Sequence, residues 1–440
     1  MIDTYLPRIT DKVLDTALKS SGAVLIEGPK WCGKTRTAVE KSKSVLYMQD
    51  PDYSASYIQA ADTKPSLLLQ GDTPRLIDEW QIAPVLWDAV RFAVDKRRAS
   101  GQFILTGSAV PKDNAVAHTG TGRISRMLMR PMSLFESLES NGSVSLKALF
   151  DGTTDGEVTS ALTIENLAYA LCRGGWPASV VGRSVHDPYS YTVPLAHTAE
   201  EKESIALRQV YNYVEAVINL DISDVDGIEK SPARVRGLMR SLARNVSTMA
   251  NLSTIKEDIS QNEENISEKT IASYINALRR IFVVEDLPAW SPAMRSKTKI
   301  RTSSKRHFID PSIAAAVLQV APDGLLSDFH TFGLLFESLC VRDLRVYAHA
   351  IDGEVFHYRD KSGLEADAIV HLKDGRWGAV EVKMGSKEIE TAACNLNKLK
   401  SKINVDKMKE PSFLMVLTGG EFGYQRKDGV FIVPIGCLRE

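Results

Sequence analysis

The stretch Gly28-Pro29-Lys30-Trp31-Cys32-Gly33-Lys34-Thr35, directly behind the apolar run Ala23-Val24-Leu25-Ile26, constrains this chain more than any other feature. It satisfies every fixed position of a phosphate-binding loop, a motif that demands a strand, a tight glycine-bearing turn and a helix opening at that turn. The spacing serves anion recognition: backbone N–H groups curl around phosphate, and the following helix points its positive end at the same charge. Lys34 is expected to reach the β- and γ-phosphate oxygens and Thr35 to offer its hydroxyl to Mg²⁺. The expected ligand is ATP or GTP, lined by all eight residues from Gly28 to Thr35.

A phosphate loop needs neighbouring strands to complete it, and the sequence supplies them. Arg75-Leu76-Ile77 reads as a short strand ending in Asp78 and Glu79. Asp78 is expected to hold Mg²⁺ through water, and Glu79 to orient and polarise the attacking water. A further strand, Phe103-Ile104-Leu105, ends in Thr106-Gly107-Ser108, whose hydroxyls are placed to sense the γ-phosphate. On its own, Asp78-Glu79 equally suits a solvated strand end; its position after the loop favours catalysis.

Strands alternating with helical patterns over residues 1–150 imply a mostly parallel sheet with helices on both faces, its nucleotide at the carboxyl ends of the strands. The 440 residues suffice for two to four domains at about 150 residues each. Glycines and prolines over 151–200, including Gly174-Gly175-Trp176-Pro177, suggest a connector or lid. Residues 201–309 read as helical: Ser267 can cap a helix on which Ile271, Ile275 and Leu278 share a face, and two preceding short helices make a winged-helix pattern. Residues 310–440 return to α/β.

A second constellation lies in that last part. In a strand, Glu381 and Lys383 of Glu381-Val382-Lys383 point to one face, and Asp367 lies one strand connection away. Asp367 and Glu381, with Glu337 or Glu365, offer hard oxygen ligands for Mg²⁺, while Lys383 would position a water against a phosphodiester. The same pair also suits an exposed edge strand. Upstream, Arg295, Lys297, Lys299, Arg301, Lys305 and Arg306 form a run without acidic residues where a wing would touch DNA phosphates, or else a solvated loop.

Net charge is −1, so any nucleic-acid surface must be local. The five cysteines show no C-x-x-C spacing, which argues against a zinc ribbon or disulfide framework and for a reducing compartment, the cytoplasm. No basic leader and no run of about 18 apolar residues is present, so neither export nor a membrane partner is expected.

Taken together, Gly28 to Thr35, Leu76-Ile77-Asp78-Glu79-Trp80-Gln81, Ile104 to Ser108, Gly122-Arg123 with Arg130-Pro131-Met132-Ser133-Leu134-Phe135-Glu136, Gly174-Gly175-Trp176-Pro177 and Glu381-Val382-Lys383 carry a resemblance. The chain resembles, over nearly its whole length, the bacterial and archaeal AAA+-type ATPases whose C-terminal domain of unknown function looks like the PD-(D/E)xK nuclease fold. The resemblance implies ATP binding and slow hydrolysis, and a winged helix between the ATPase and the nuclease-like domain. Trp31 inside the loop is a mild departure, placed to lie against the nucleotide. Arg123 is the first candidate for an arginine finger, in its own subunit or reaching a neighbour in a homo-oligomer; Arg126 and Arg130 are rivals, and a structural salt bridge is the alternative for each. The leading expectation is an ATP-driven switch acting on DNA. The alternatives are a Mg²⁺-dependent DNA nuclease regulated by ATP and a signalling ATPase with a protein partner.

Overall fold

The computed structural model describes residues 5–108, 120–154, 156–181, 198–224, 230–260, 266–292, 303–403 and 408–440. The first sheet contains β1 (Ala23–Glu27), β2 (Ser44–Tyr47), β3 (Arg75–Asp78), β4 (Phe103–Gly107) and β5 (Ile124–Leu128) in the order β2-β3-β4-β1-β5, every pairing parallel. β1 and β4 sit inside the sheet, and both are near-continuous apolar runs because helices cover both faces. Side chains alternate between faces with period two. Leu25, Ile77 and Leu105 therefore pack with Trp80, Trp87 and Val90, the last two from the helix Val85–Arg97. Val24, Ile26, Leu76, Ile104 and Met127 point the other way, into a core that continues through the helical middle of the chain to the C-terminal sheet.

The short strands β6 (Val144–Ser145) and β7 (Glu157–Thr159) follow, and then the helices Ile164–Arg173, Ala199–Ala216, Pro232–Arg244, Leu252–Ser260 and Glu268–Arg280. Ser267 does cap the last of these, its hydroxyl accepting from the Thr270 amide at 3.1 Å, and Ile271, Ile275 and Leu278 are buried on one face. The chain then turns so that Val284 bridges Phe308 and Leu287 bridges Lys305, both antiparallel.

The C-terminal sheet adds β8 (Gly353–Arg359), β9 (Glu365–Leu372), β10 (Trp377–Lys383), β11 (Phe413–Thr418), β12 (Phe422–Gln425) and β13 (Phe431–Pro434), while β14 (Leu438–Arg439) pairs with β6. Its order is β7-β12-β13-β11-β10-β9-β8, so Glu157–Thr159, within the stretch expected as a connector, forms one edge of this sheet. The 22-residue helix Phe329–Ala350 lies on one face and Ile389–Lys402 on the other. β10 and β11 pair in parallel across the latter helix, while β8, β9 and β10 form an antiparallel meander.

Two of the sequence blocks behind the resemblance prove to be one contact. The Met132 amide donates to the Gly175 carbonyl at 2.6 Å, and a Cβ on Gly175 would stand 2.0 Å from the Met132 carbonyl oxygen. Glycine is required there because two backbones cross with no room for a side chain.

Candidate functional site

The phosphate loop leaves the carboxyl end of β1 and enters the helix Lys34–Lys41. Three of its residues have positive φ, Gly28, Trp31 and Gly33, and at Gly28 a Cβ would lie 2.2 Å from the Met129 carbonyl oxygen. Lys34 is buried and folded back, its Nζ donating to the carbonyls of Gly28 at 2.9 Å and Pro29 at 2.7 Å. The ammonium satisfies the loop's own oxygens, and a phosphate would compete for it as a stronger acceptor. Cys32 is buried under the loop, while Trp31 is 61 % exposed with its ring centroid 6.1 Å from that of Tyr213.

The carboxylates stand beside the loop. Asp78 ends β3, is fully buried, and accepts at one oxygen from the hydroxyls of Thr35 at 2.7 Å and Thr106 at 2.5 Å. Its other oxygen accepts from the Gln49 amide at 2.8 Å. The side chains that donate to Asp78 are the hydroxyls of Thr35 and Thr106 and the amide of Gln49, so its oxygens are held by uncharged donors at the mouth of a loop built for an anion and its cation. Glu79 follows with φ +56°, a left-handed conformation that costs a bulky residue about 1 kcal/mol. Its amide donates to Thr106 Oγ1 at 3.2 Å, and its carboxylate accepts from Gln81 and, at 3.4 Å, from the Ser108 hydroxyl. Burial pushes the Glu79 carboxyl above the usual carboxylate range, against the pull of the Lys34 ammonium. Such a group is suited to take a proton from water. Thr35, Asp78, Glu79, Thr106 and Ser108 are thus drawn together at the carboxyl ends of β1, β3 and β4, and the oxygen set of Thr35 and Asp78 fits Mg²⁺ accompanying a nucleotide.

The arginines are placed otherwise. Arg123 precedes β5, whose Ile124 pairs with Ala23 at the start of β1, so it lies at the amino end of the sheet. The phosphate loop leaves the opposite end, roughly 15 Å away at about 3.3 Å per residue. Arg123 there pairs with Asp95 at 2.9 Å, and a finger role within its own subunit is ruled out by the direction of the strand. Arg126 pairs with Glu27 at 2.9 Å and lies over the Trp87 ring. Arg130 is engaged by Glu285.

Two contributors escaped the sequence reading. Arg8 staples the loop from outside the motif, donating to the Cys32 carbonyl at 2.9 Å, the Arg130 carbonyl at 2.8 Å and Glu136 at 2.9 Å. Gln49 is the other; neither stands at a spacing that a motif encodes. Lys30 reaches from the loop to Asp221 at 2.6 Å, in the π-helical turn Val217–Asp221 that extends Ala199–Ala216.

In the C-terminal domain Asp367 on β9, Glu381 and Lys383 on β10 and Glu337 on the helix Phe329–Ala350 do converge, but around a fifth residue. Lys305 is buried, with its Nζ 2.8 Å from Glu337 and 3.1 Å from Asp367. Lys383 lies 3.1 Å from Glu381 and 3.9 Å from Asp367. The second Asp367 oxygen accepts from the Val382 amide at 2.9 Å. Burial and the nearby Asp367 charge push both Glu337 and Glu381 up to about 8. Asp367 is itself held low by Lys305 and Lys383 in spite of its burial. Among the described residues no three acidic, histidine or cysteine side chains are arranged to hold a metal ion. The expected ligand set of Glu337, Asp367 and Glu381 therefore does not fit Mg²⁺ here, because an ammonium stands among the carboxylates. Glu365 pairs with Arg359 at 3.0 Å, apart from the cluster.

Of the basic run, Arg295, Lys297, Lys299 and Arg301 lie outside the described residues. Lys305 is consumed as above, and Arg306 pairs with Asp286 at 2.8 Å and donates to the Ala250 carbonyl at 3.2 Å. Neither is a free phosphate-binding cation.

Residues 20–138 match the AAA domain family, and the N-terminal domain is of the P-loop ATPase type, which implies a nucleotide and typically Mg²⁺. Residues 193–324 and 332–438 match two domains of unknown function, DUF8612 and DUF4143. The uncharacterized protein Rv2008c of Mycobacterium tuberculosis and the uncharacterized protein Mb2031c of Mycobacterium bovis are each 23 % identical over 428 residues, covering 96 % of this chain and 82 % of theirs. A solved structure, the Walker-type ATPase PABY2304 of Pyrococcus abyssi, is similar over 71 % of this chain and 96 % of its own at 15 % identity and a TM-score of 0.43. Among the described residues no helix is long and apolar enough to cross a membrane.

Proposed function

We propose that this protein is an ATP-hydrolysing switch whose nucleotide state is passed from the phosphate loop to the central helices, and through them to DNA. The observation that carries the reading is the contact between Thr35 Oγ1 and Asp78 Oδ1 at 2.7 Å, directly beside Lys34 and Glu79. Phosphoryl transfer asks for positioning and charge neutralisation more than covalent chemistry, and these residues supply both. Lys34 would leave the carbonyls of Gly28 and Pro29 for the phosphates, and Glu79 would orient the attacking water and accept its proton. Mg²⁺, when it accompanies the nucleotide on Thr35 and Asp78, would neutralise charge on the β- and γ-phosphate oxygens.

The route outward is supported by Lys30, which ties the loop to Asp221, and by the tilted contact of Trp31 with Tyr213, whose ring centroid lies 4.4 Å from that of Trp176. DNA as the target is supported by the three helices Pro232–Arg244, Leu252–Ser260 and Glu268–Arg280 followed by the antiparallel bridges of 284 with 308 and 287 with 305, the order of a winged helix.

Steady-state ATP hydrolysis by the purified protein, with and without duplex and single-stranded DNA at two salt concentrations, tests the proposal. Stimulation that falls steeply with salt would establish phosphate contacts. Slow turnover indifferent to DNA, with no binding at low salt, would discard DNA in favour of a protein partner.

A further inference from the structure

The C-terminal cluster has the components of a divalent-cation site and a different occupant. Glu337 on a helix and Asp367 on a strand flank one ammonium, and Glu381 on the antiparallel neighbouring strand stands beside Asp367 through Lys383. Lys383 answers Glu381 at 3.1 Å, so it serves as a counter-ion. Lys305 enters from elsewhere: it forms an isolated antiparallel bridge with Leu287 in the central domain, and its ammonium lies 2.8 Å from Glu337 and 3.1 Å from Asp367. The backbone on both sides of Lys305 is fixed as well, since its amide and carbonyl exchange hydrogen bonds with Leu287 at 3.0 and 2.9 Å. This lysine is therefore built into place by the fold and is no flexible surface side chain that happened to fall inward.

We infer that the Lys305 ammonium takes the position of a divalent cation between Glu337 and Asp367, beside Glu381, so that the C-terminal domain is closed to Mg²⁺ and Mn²⁺ for as long as the central domain presents this lysine. A monovalent point charge with three N–H donors can satisfy two carboxylates at hydrogen-bond distance, but it lacks the Lewis acidity that activates water against a phosphodiester. A divalent ion would need the same oxygens at about 2.1 Å, nearer than the ammonium allows. The consequence is that access of a divalent cation to these carboxylates depends on the segment carrying Lys305. The inference stands apart from the ATPase reading, because none of its residues touches the phosphate loop.

The test is Mn²⁺ binding to the nucleotide-free full-length protein, followed by electron paramagnetic resonance and by the Mn²⁺-dependent shift in thermal unfolding. The part that Asp367→Asn removes is compared, so that weak binding at Thr35 and Asp78 cancels. Wild type is expected to show no Asp367-dependent component. Lys305→Met is expected to gain one, at least tenfold tighter than any wild-type binding, and to lose it again in the double variant with Asp367→Asn. Removing a buried partner leaves carboxylates uncompensated and endangers folding. If Lys305→Met does not fold without Mn²⁺ but folds with it, the inference is supported; if it fails in both, the comparison of wild type with Asp367→Asn decides. Asp367-dependent Mn²⁺ binding in wild type overturns the inference, and so does a folded Lys305→Met that binds none.

Discussion

The phosphate loop and the C-terminal cluster are assembled from the same residue types, carboxylates at strand ends beside a lysine, yet they are electrostatically opposite. At the first, Asp78 is met by the neutral donors Thr35, Thr106 and Gln49, and Lys34 is turned toward backbone carbonyls. At the second, Asp367 and Glu337 are met by the Lys305 ammonium and Glu381 by Lys383. Hydrogen bonds from uncharged donors to a carboxylate are each worth roughly 1.5–3 kcal/mol net. A buried ion pair is different, since removing one partner costs about 3–5 kcal/mol. Under the proposed function, the identity of the partner, uncharged or charged and fixed, is what would let the first set of carboxylates and not the second work on a phosphate.

The comparison is broken most forcefully at Lys34 and Glu79. Lys34→Ala is expected to lower nucleotide affinity on the order of 10²-fold or more, read by titration with a fluorescent ATP analogue. Glu79→Gln is expected to keep that affinity and to lose roughly 10²–10⁴-fold in steady-state turnover, the range for removing a general base. Wild-type turnover in Glu79→Gln would put the water-orienting group elsewhere and remove the contrast between a working site and a closed one.

Much of the first site was legible because its residues are local to strand ends. The eight residues of the loop, Asp78-Glu79 and Thr106-Gly107-Ser108 each announce themselves by an apolar run followed by a turn. The second site was legible in its strands and illegible in its electrostatics. Asp367, Glu381 and Lys383 are paired by one hairpin, whereas Lys305 stands 62 positions before Asp367 and read as part of a basic wing. Arg8 and Gln49 were invisible for the same reason, their roles resting on contacts 128 and 29 positions away. Arg123 is removed from its own subunit's site for a different one: every strand of the sheet is parallel, and a residue that opens a strand lies at the end away from the phosphate loop, which leaves open the reading in which it reaches a neighbour. The strands Glu157–Thr159, at the edge of the C-terminal sheet, and Phe422–Gln425, next to it, were missed because they are three and four residues long and partly exposed.

Between the two sites lies a junction whose strength can be read by pH. Glu285 accepts from Arg130 at 2.9 Å, from the end of the first sheet, and Arg345 of the C-terminal helix lies 3.5 Å from the same carboxylate. Burial would raise this carboxyl, but Arg130 and Arg345, with a smaller contribution from His349, bring it down to about 2. Asp286 is the acidic neighbour, and its own carboxylate is held by Arg279 and Arg306. A carboxyl depressed in the fold contributes stability that is present above its unfolded value, near 4.3, and lost as pH falls toward 2. The contribution is on the order of 3 kcal/mol. Urea midpoints between about pH 5 and about pH 2 should therefore fall more steeply for wild type than for Glu285→Gln, which is already weaker at about pH 7. Parallel slopes would mean that the junction does not depend on this ion pair.

The smallest expected effect sharpens the comparison at the loop itself. Of six tryptophans, Trp80, Trp87, Trp176, Trp290 and Trp377 are buried and Trp31 is 61 % exposed, so collisional quenching by acrylamide reports chiefly on Trp31. Its left-handed φ of +65° holds the ring outside the loop, beside Tyr213 and away from the apolar core. If a nucleotide seats against that ring, ATP should cut the accessible fraction of emission modestly in wild type and leave Trp31→Phe unaffected, with the quenching returning as hydrolysis proceeds. In Glu79→Gln the protection should persist, since the nucleotide binds and is not turned over. Protection of equal size in Trp31→Phe would assign the change to a buried tryptophan, and the loop's contact with Tyr213 would then be structural, leaving Lys30 and Asp221 as the sole side-chain ion pair by which the loop addresses the helices among the described residues.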